Sequence, residues 1–289
     1  LAKKVSEYVI EACIKLSGLV VIIFVVSIFL FLLKDSLSLF GVHSVRDFLF
    51  GTRWLPISEP PKFGVIPLFL GSLYVTLGAI ILCVPVGIGA AMFIAEVAPQ
   101  YLKNILKSLI EILAAIPSVV LGFIGIVWLG PFLRETLGLK TGMCGLTGSL
   151  LLAFMALPTV ISISEDAIIS VPKTYREAAF GLGATRWQTL WRIILPASSS
   201  GIIAAVMLGI GRVIGETMVV MMVTGNSPVI PKSLLLPLRT LTATVAGEMG
   251  ETVSGSEHYF ALFAVGLILF IITFIINLIA DVCLRRARK

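Results

Sequence analysis

Six long apolar runs constrain this chain more than any other feature. They cover residues 16–33, 68–95, 109–133, 146–169, 196–224 and 259–283. Each is long enough to cross a hydrocarbon layer of ~30 Å as a helix. Six such runs in 289 residues hold far more apolar surface than one soluble core of that size can bury, and 58% of the residues are hydrophobic against 13% charged. Mean hydropathy is +1.06. A soluble domain has about a quarter of its residues charged. The pattern excludes an ordinary cytosolic enzyme, a disordered chain and a secreted disulfide scaffold. It points to an all-α polytopic membrane protein with six transmembrane helices. No alternating stretch is long enough for a membrane barrel. The first run follows Lys3 and Lys4 but exceeds a signal-peptide core and has no small-residue cleavage site after it, so it reads as a retained anchor.

The net charge of +6 would raise nucleic acid in a soluble protein. Here topology explains it better, because the cations sit between the apolar runs, and no nucleic-acid partner is expected. One side of a six-span layout carries Lys3, Lys4, Lys15, Lys103, Lys107, Lys173, Arg176, Arg186, Arg192, Arg285, Arg286, Arg288 and Lys289. The other carries Lys34, Arg46, Arg53, Lys62, Arg134, Lys140, Lys232 and Arg239. The richer side, which also has the shorter loops, is expected to be cytoplasmic and to hold both termini. The chain is thus expected to be a multi-pass protein in contact with membrane lipid. Cys13, Cys83, Cys144 and Cys283 are scattered, and His43 and His258 are the two histidines. Neither a metal site nor a disulfide framework is expected from them.

Residues 34–67 read as a long loop rich in proline, and 233–246 as a weakly apolar segment too short to span, either re-entrant or interfacial. Pro85, Pro117 and Pro158 each interrupt an apolar run and mark either a packing kink or a true break. Between the fourth and fifth runs, residues 171–192 read as two short helices. Thr174-x-x-Glu177 and Thr185-x-x-Gln188 are capping-box patterns, and Gly183 between them suits a left-handed helix end. Tyr175, Phe180, Trp187 and Trp191 add apolar surface to this basic segment. Physics alone leaves two readings, a protein-docking surface and an amphipathic pair lying on anionic lipid.

The fifth run contains two charges, Arg212 and Glu216. Each would cost ~2.5–3.5 kcal/mol at the centre of a lipid-facing helix, so neither should face lipid. Four residues apart on one helix they would share a face, either as a self-neutralised packing pair or as a functional site. Gly211 and Gly215 beside them have the spacing of a close helix–helix contact. No GxxxxGK[ST] occurs, so the chain offers no nucleotide site of its own. Glu165 and Asp166, near the end of the fourth run, read as a solvated helix end rather than an acid–base pair.

Glu177-Ala178-Ala179, three residues, Gly183, nine residues, then Ile193-x-Leu195-Pro196 resembles the EAA loop of ABC importer permeases. Arg212-x-x-Gly215-Glu216-Thr217 is similar to the signature of the phosphate-specific permeases of that family. Glu111 through Val120, Ala156-Leu-Pro158-Thr159 and Glu248-Met-Gly-Glu251 add further matches. The long first loop with Trp54-Leu55-Pro56, then Gly71-Ser72-Leu73, resembles the PstC type rather than PstA. The resemblance covers nearly the whole chain. It implies a MetI-like fold, with residues 1–64 as an anchor helix and outer loop and 65–289 as the permease core. It implies no enzymatic activity in this chain and no cofactor, ATP and Mg being held by a partner. The implied partners are a second, PstA-type permease, a PstB-type ATPase dimer and a PstS-type phosphate-binding protein. Glu177, Ala178, Ala179 and Gly183 would couple to the ATPase, the small side chains allowing close approach to its groove. Arg212 would offer a bidentate fork to phosphate, and Glu216 would accept a hydrogen bond from the P–OH that phosphate keeps and sulfate lacks. Thr217, Thr159 and Ser118 are candidate hydroxyl contacts, although helix hydroxyls commonly bond to the backbone instead. The other readings are a permease for another oxyanion such as arsenate, an ATPase-independent transporter or channel, and a membrane-embedded enzyme, for which no nucleophile–base or metal constellation occurs.

Overall fold

The computed structural model describes residues 2–287, with side chains described over 10–282. The side chains of Lys3, Lys4, Cys283, Arg285, Arg286, Arg288 and Lys289 lie outside the described residues. Helix α1 (Ala2–Phe40) runs beyond the first apolar stretch and packs along α14 (Glu257–Ala287). Phe29 meets Phe270 and Phe31 meets Phe263, with ring centroids 5.6 and 5.3 Å apart. The expected loop at 34–67 is partly ordered. It holds the end of α1, α2 (Val45–Phe50), and a short antiparallel pair of β1 (Trp54–Leu55) and β2 (Lys62–Phe63). Trp54, Phe48 and Phe63 point into a core shared with Leu241, Ala261 and Leu262, and that burial organises a segment which composition alone marks as a loop.

Helix α3 (Ile66–Met92) starts with Pro67, which suits a first turn because proline lacks only a donor that would be unpaired there. It continues into a π-helical turn, Phe93–Val97. Next come α4 (Gln100–Ala115), α5 (Ser118–Ile124), a second π-turn (Gly125–Leu129) and α6 (Gly130–Leu137). The third span therefore starts at Ser118, not at residue 109. Pro117 is a true break: it is the N-cap of α5, and the residues before it finish the amphipathic α4. Pro85 and Pro158 lie inside the unbroken helices α3 and α7 (Gly145–Ile169).

Helices α3 and α7 pair along their lengths, and α11 (Ser199–Gly215) completes the centre. Val160 of α7 is wedged between two glycines. A Cβ at Gly87 of α3 would lie 2.8 Å from its Cγ1, and one at Gly209 of α11 would lie 2.7 Å from its Cγ2. Three helices approach there because two of them lack a side chain at the contact. Gly211 and Gly215 make no such contact; a Cβ at either would meet open space. They point away from the face of α11 that Gly209 presents to α7.

Between α7 and α11 come α8 (Lys173–Gly181), α9 (Arg186–Thr189), a third π-turn (Leu190–Ile194) and α10 (Leu195–Ala197). Among the described residues five helices are long and apolar enough to cross a membrane alone, and there are six if α11 is counted as one span with the preceding Arg186–Ala197, from which it is bent by 69°. The fifth run is not one helix. It stops at Gly215 and resumes as α12 (Met218–Val223). The segment at 233–246 does not span. It returns beside the start of α7, where Leu146 N–H donates to Leu234 O at 2.7 Å, and then forms α13 (Leu241–Glu248), capped by Thr240.

Candidate functional site

The break between α11 and α12 is the centre of the first candidate site. Glu216 is extended (ψ 131°), so the helical register that would stack it over Arg212 ends one residue too early. The two charges do not pair, and the shared-face expectation is corrected. The Glu216 carboxylate instead accepts from Val219 N–H at 3.2 Å, and its backbone carbonyl accepts from the Thr242 hydroxyl of α13 at 2.9 Å. These bonds take up backbone groups that a broken helix frees inside a membrane, where irregular backbone survives only if protein or a polar cavity satisfies it. Discontinuous helices of this kind line substrate sites in transporters. Oε2 of Glu216 has no partner among the described residues.

Arg212 lies in the last turn of α11, where the helix dipole favours a cation. Its guanidinium is exposed in the single chain and donates to Thr159 Oγ1 at 3.3 Å. Thus Arg212 and Thr159 come together, from α11 and α7, with Glu216 four residues further along the chain, past the helix end. Thr217 spends its hydroxyl on Gly215 O at 3.3 Å. Ser118 heads α5, half-buried, and shares no hydrogen bond with the others.

The second candidate site is the segment 171–192. Its aromatic and aliphatic side chains stay uncovered, with Leu182 90%, Trp187 63% and Tyr175 52% exposed. A concentration of large apolar side chains that the fold leaves open marks an interaction surface. Glu177 and Ala178 are exposed beside them. Ala179 is not available for docking. It is buried within this chain, where α8 packs on the π-turn Leu190–Ile194, so its small size answers to internal packing. Gly183 has φ +81°, with Ala184 N–H donating to Ala179 O (3.0 Å) and Gly183 N–H to Phe180 O (2.9 Å). That is the glycine-terminated helix end in which the left-handed residue follows the cap. A Cβ there would find open space within this chain, and the left-handed backbone conformation is by itself a reason for glycine.

Of the two expected capping boxes, Thr185–Gln188 forms both reciprocal bonds, at 3.2 and 2.9 Å. Thr174–Glu177 does not form. The chain enters α8 directly after Pro172, which takes the cap position and leaves Thr174 inside the first turn.

Three charged groups carry more than the sequence reading assigned to them. Glu165 is buried and pairs with Lys107 of α4 at 3.0 Å, so it is not a solvated helix end; Asp166 beside it is exposed. Arg176 reaches Glu96, a sole acid ending a long apolar run, which is the signal that was available in the sequence. At the opposite end of the bundle Glu248 receives Trp54 Nε1 (3.0 Å), His258 Nε2 (2.8 Å) and Arg239.

Residues 83–289 match the family described as "Binding-protein-dependent transport system inner membrane component". Among curated proteins the chain is 40% identical over 276 residues to "Probable ABC transporter permease protein YqgH" of Bacillus subtilis, covering 95% of this chain and 88% of that one. It is 38% identical to "Phosphate transport system permease protein PstC" of Mesorhizobium japonicum, covering 87% and 81%. Among solved structures, a bacterial alginate ABC transporter in complex with its alginate-bound periplasmic protein aligns with a TM-score of 0.64 at 16% identity, over 89% of this chain and 88% of that one. That likeness establishes the shared fold.

Proposed function

The chain belongs to the binding-protein-dependent transport system inner membrane component family, and we propose that it is the membrane-spanning permease subunit of an ATP-driven importer of inorganic phosphate. The observation that carries the substrate is the likeness, over most of both chains, to a permease named for phosphate transport. The subunit is not itself an enzyme. It works beside a second permease, an ATPase dimer that holds ATP and Mg, and an external phosphate-binding protein. The exposed surface around Glu177, Ala178, Leu182 and Trp187 docks the ATPase. The charge distribution supports placing that end, and both termini, in the cytoplasm, with the Trp54 end outside.

At the helix break the residues suit a tetrahedral oxyanion. The exposed Arg212 fork supplies two parallel N–H donors, and Thr159 holds the guanidinium from α7. The free oxygen of Glu216 accepts a hydrogen bond from the P–OH that phosphate retains near neutral pH. A fully deprotonated sulfate has nothing to donate and meets repulsion instead. Because the Glu216 backbone is pinned by Thr242, the carboxylate is held at the break rather than swinging away.

The test is ATP-driven uptake of phosphate, arsenate and sulfate by the reconstituted complex, with a variant binding protein that delivers each anion. Arg212→Lys keeps the charge but not the fork, and should lower phosphate uptake by about tenfold or more, as loss of one charged hydrogen bond would. Glu216→Gln should admit sulfate, since an amide can donate to it. Unchanged selectivity in both variants, with normal assembly, would remove these residues from the pathway.

A further inference from the structure

We infer that Arg176 is the positioning residue that carries movement of α8 into the two central spans, α3 and α7. The inference rests on the ATPase-docking role proposed for the surface around α8. Four hydrogen bonds leave this one guanidinium. Nε donates to Glu96 Oε1 at 3.0 Å, and Nη2 reaches the same oxygen. Nη2 also donates to Ile168 O at 3.1 Å, and Nη1 to Val171 O at 2.7 Å. Glu96 lies in the π-turn that ends the α3 run, Ile168 lies at the end of α7, and Val171 follows it. Among the described residues, every hydrogen bond between α8 and the spans α3 and α7 passes through Arg176.

The ends that Arg176 reaches already behave as one block. Lys103 of α4 donates to Ala95 O at 2.7 Å, and Lys107 of α4 pairs with Glu165 of α7 at 3.0 Å. Ala95 adjoins Glu96, and Glu165 lies one turn before Ile168. Helix α4 therefore clamps the same two helix ends, and Arg176 is where α8 joins them. Both side chains of the Arg176–Glu96 pair are about four-fifths buried, 19% and 23% exposed, so water screens the pair less than a surface bridge. A planar guanidinium held at three points resists rotation, unlike a flexible ammonium. A shift of α8 therefore drags the ends of α3 and α7 or breaks the bonds. From Ile168, α7 leads over nine residues, ~13.5 Å of helix, to Thr159, which holds Arg212. The route joins the docking surface to the helix break through contiguous bonded groups.

The test uses the whole complex in proteoliposomes, built on a chain without its native cysteines and carrying Gly215→Cys, a position with open space beside the break. The rate of modification by a charged maleimide is compared with and without ATP. With Arg176 and Glu96 intact, ATP should change the rate by about fivefold or more. Arg176→Ala and Glu96→Ala should abolish that change while the ATPase still co-purifies and hydrolyses ATP. Arg176→Lys should fail to restore it, and Glu96→Gln, which keeps an acceptor, should restore it in part. An ATP-dependent change that persists in both alanine variants overturns the inference. So does parallel loss of ATPase co-purification, which would make Arg176 a docking or folding residue. Phosphate uptake by the complex with Arg176 and Glu96 intact is measured separately. A complex that responds to ATP at position 215 but takes up no phosphate sinks the substrate assignment and leaves the linkage standing.

Discussion

The two ends of the bundle are built on the same device, a carboxylate that gathers donors from distant segments, yet they finish differently. At the Trp54 end, Glu248 of α13 collects the indole of β1, Arg239 of the preceding loop and His258 of α14. Trp54 itself is 1% exposed, and Leu241, Ala261 and Leu262 are buried with it. At the α8 end, Glu96 and Glu165 collect Arg176 and Lys107, but Leu182, Trp187, Tyr175, Phe180 and Trp191 remain open. The lesson is in what each end leaves unfinished. The first buries the aromatic and aliphatic side chains nearest its carboxylate, although Ile57 and Val253 stay open, and so holds the outer segments to the spans. The second pairs these carboxylates with Arg176 and Lys107 and leaves the aromatic side chains of residues 171–192 open.

The comparison breaks first, and hardest, at Ala179. If the α8 end has a closed interior beneath its open surface, Ala179→Asp puts an unpaired charge into it. The variant should lose roughly 3 kcal/mol or more, read as a collapse of thermal stability in detergent before any partner is added. A stable variant that merely fails to bind the ATPase would put Ala179 back on the docking surface.

A somewhat smaller loss is expected at the other end. Glu248→Ala leaves Arg239 and His258 without their acceptor and frees the Trp54 indole. Because these side chains retain some exposure, roughly 2–3 kcal/mol should be lost, measured by the same melt. Trp54→Phe, which removes only one donor and keeps most of the buried ring, should cost less than Glu248→Ala. Equal costs would mean that ring packing, not the carboxylate, holds this end together.

The smallest effect on stability should come from Leu182, whose side chain is 90% exposed. Leu182→Cys should shift the melt by no more than about 0.5 kcal/mol. Yet its thiol, in a chain without the native cysteines, should react with an impermeant maleimide only from the cytoplasmic side and be shielded once the ATPase binds. Labelling from outside intact cells would invert the orientation, and labelling unaffected by the ATPase would move the docking surface elsewhere.

Much of the candidate site was legible in the residues. The spacing from Glu177 through Pro196 marks α8 and the turn at Gly183, and the Thr185 box forms as written. Two charges in an apolar run mark the neighbourhood of the break. The break itself was not legible. Residues 196–224 carry no charge apart from that pair, and hydropathy measures the cost of leaving water, not where a helix stops inside lipid. The stop at Gly215 depends on Thr242 and Val219, which take up the freed backbone and the Glu216 carboxylate. Thr242 lies 26 residues away along the chain and arrives only when α13 folds back.

What the sequence determined by itself is the class of molecule. Apolar runs of bilayer length must become spans because unpaired backbone is too costly in hydrocarbon, and the unequal distribution of Lys and Arg is what supports the proposed orientation. The tertiary structure alone decided how charges are used. Arg212 turned from Glu216 to Thr159, Glu165 found Lys107, Ala179 went inside, and Trp54, Arg239 and His258 met at Glu248. Each outcome depends on which groups lie within about 3 Å once helices pack. Helix order and length do not encode that distance; it is set by where small residues such as Gly87 and Gly209 let neighbouring helices close in.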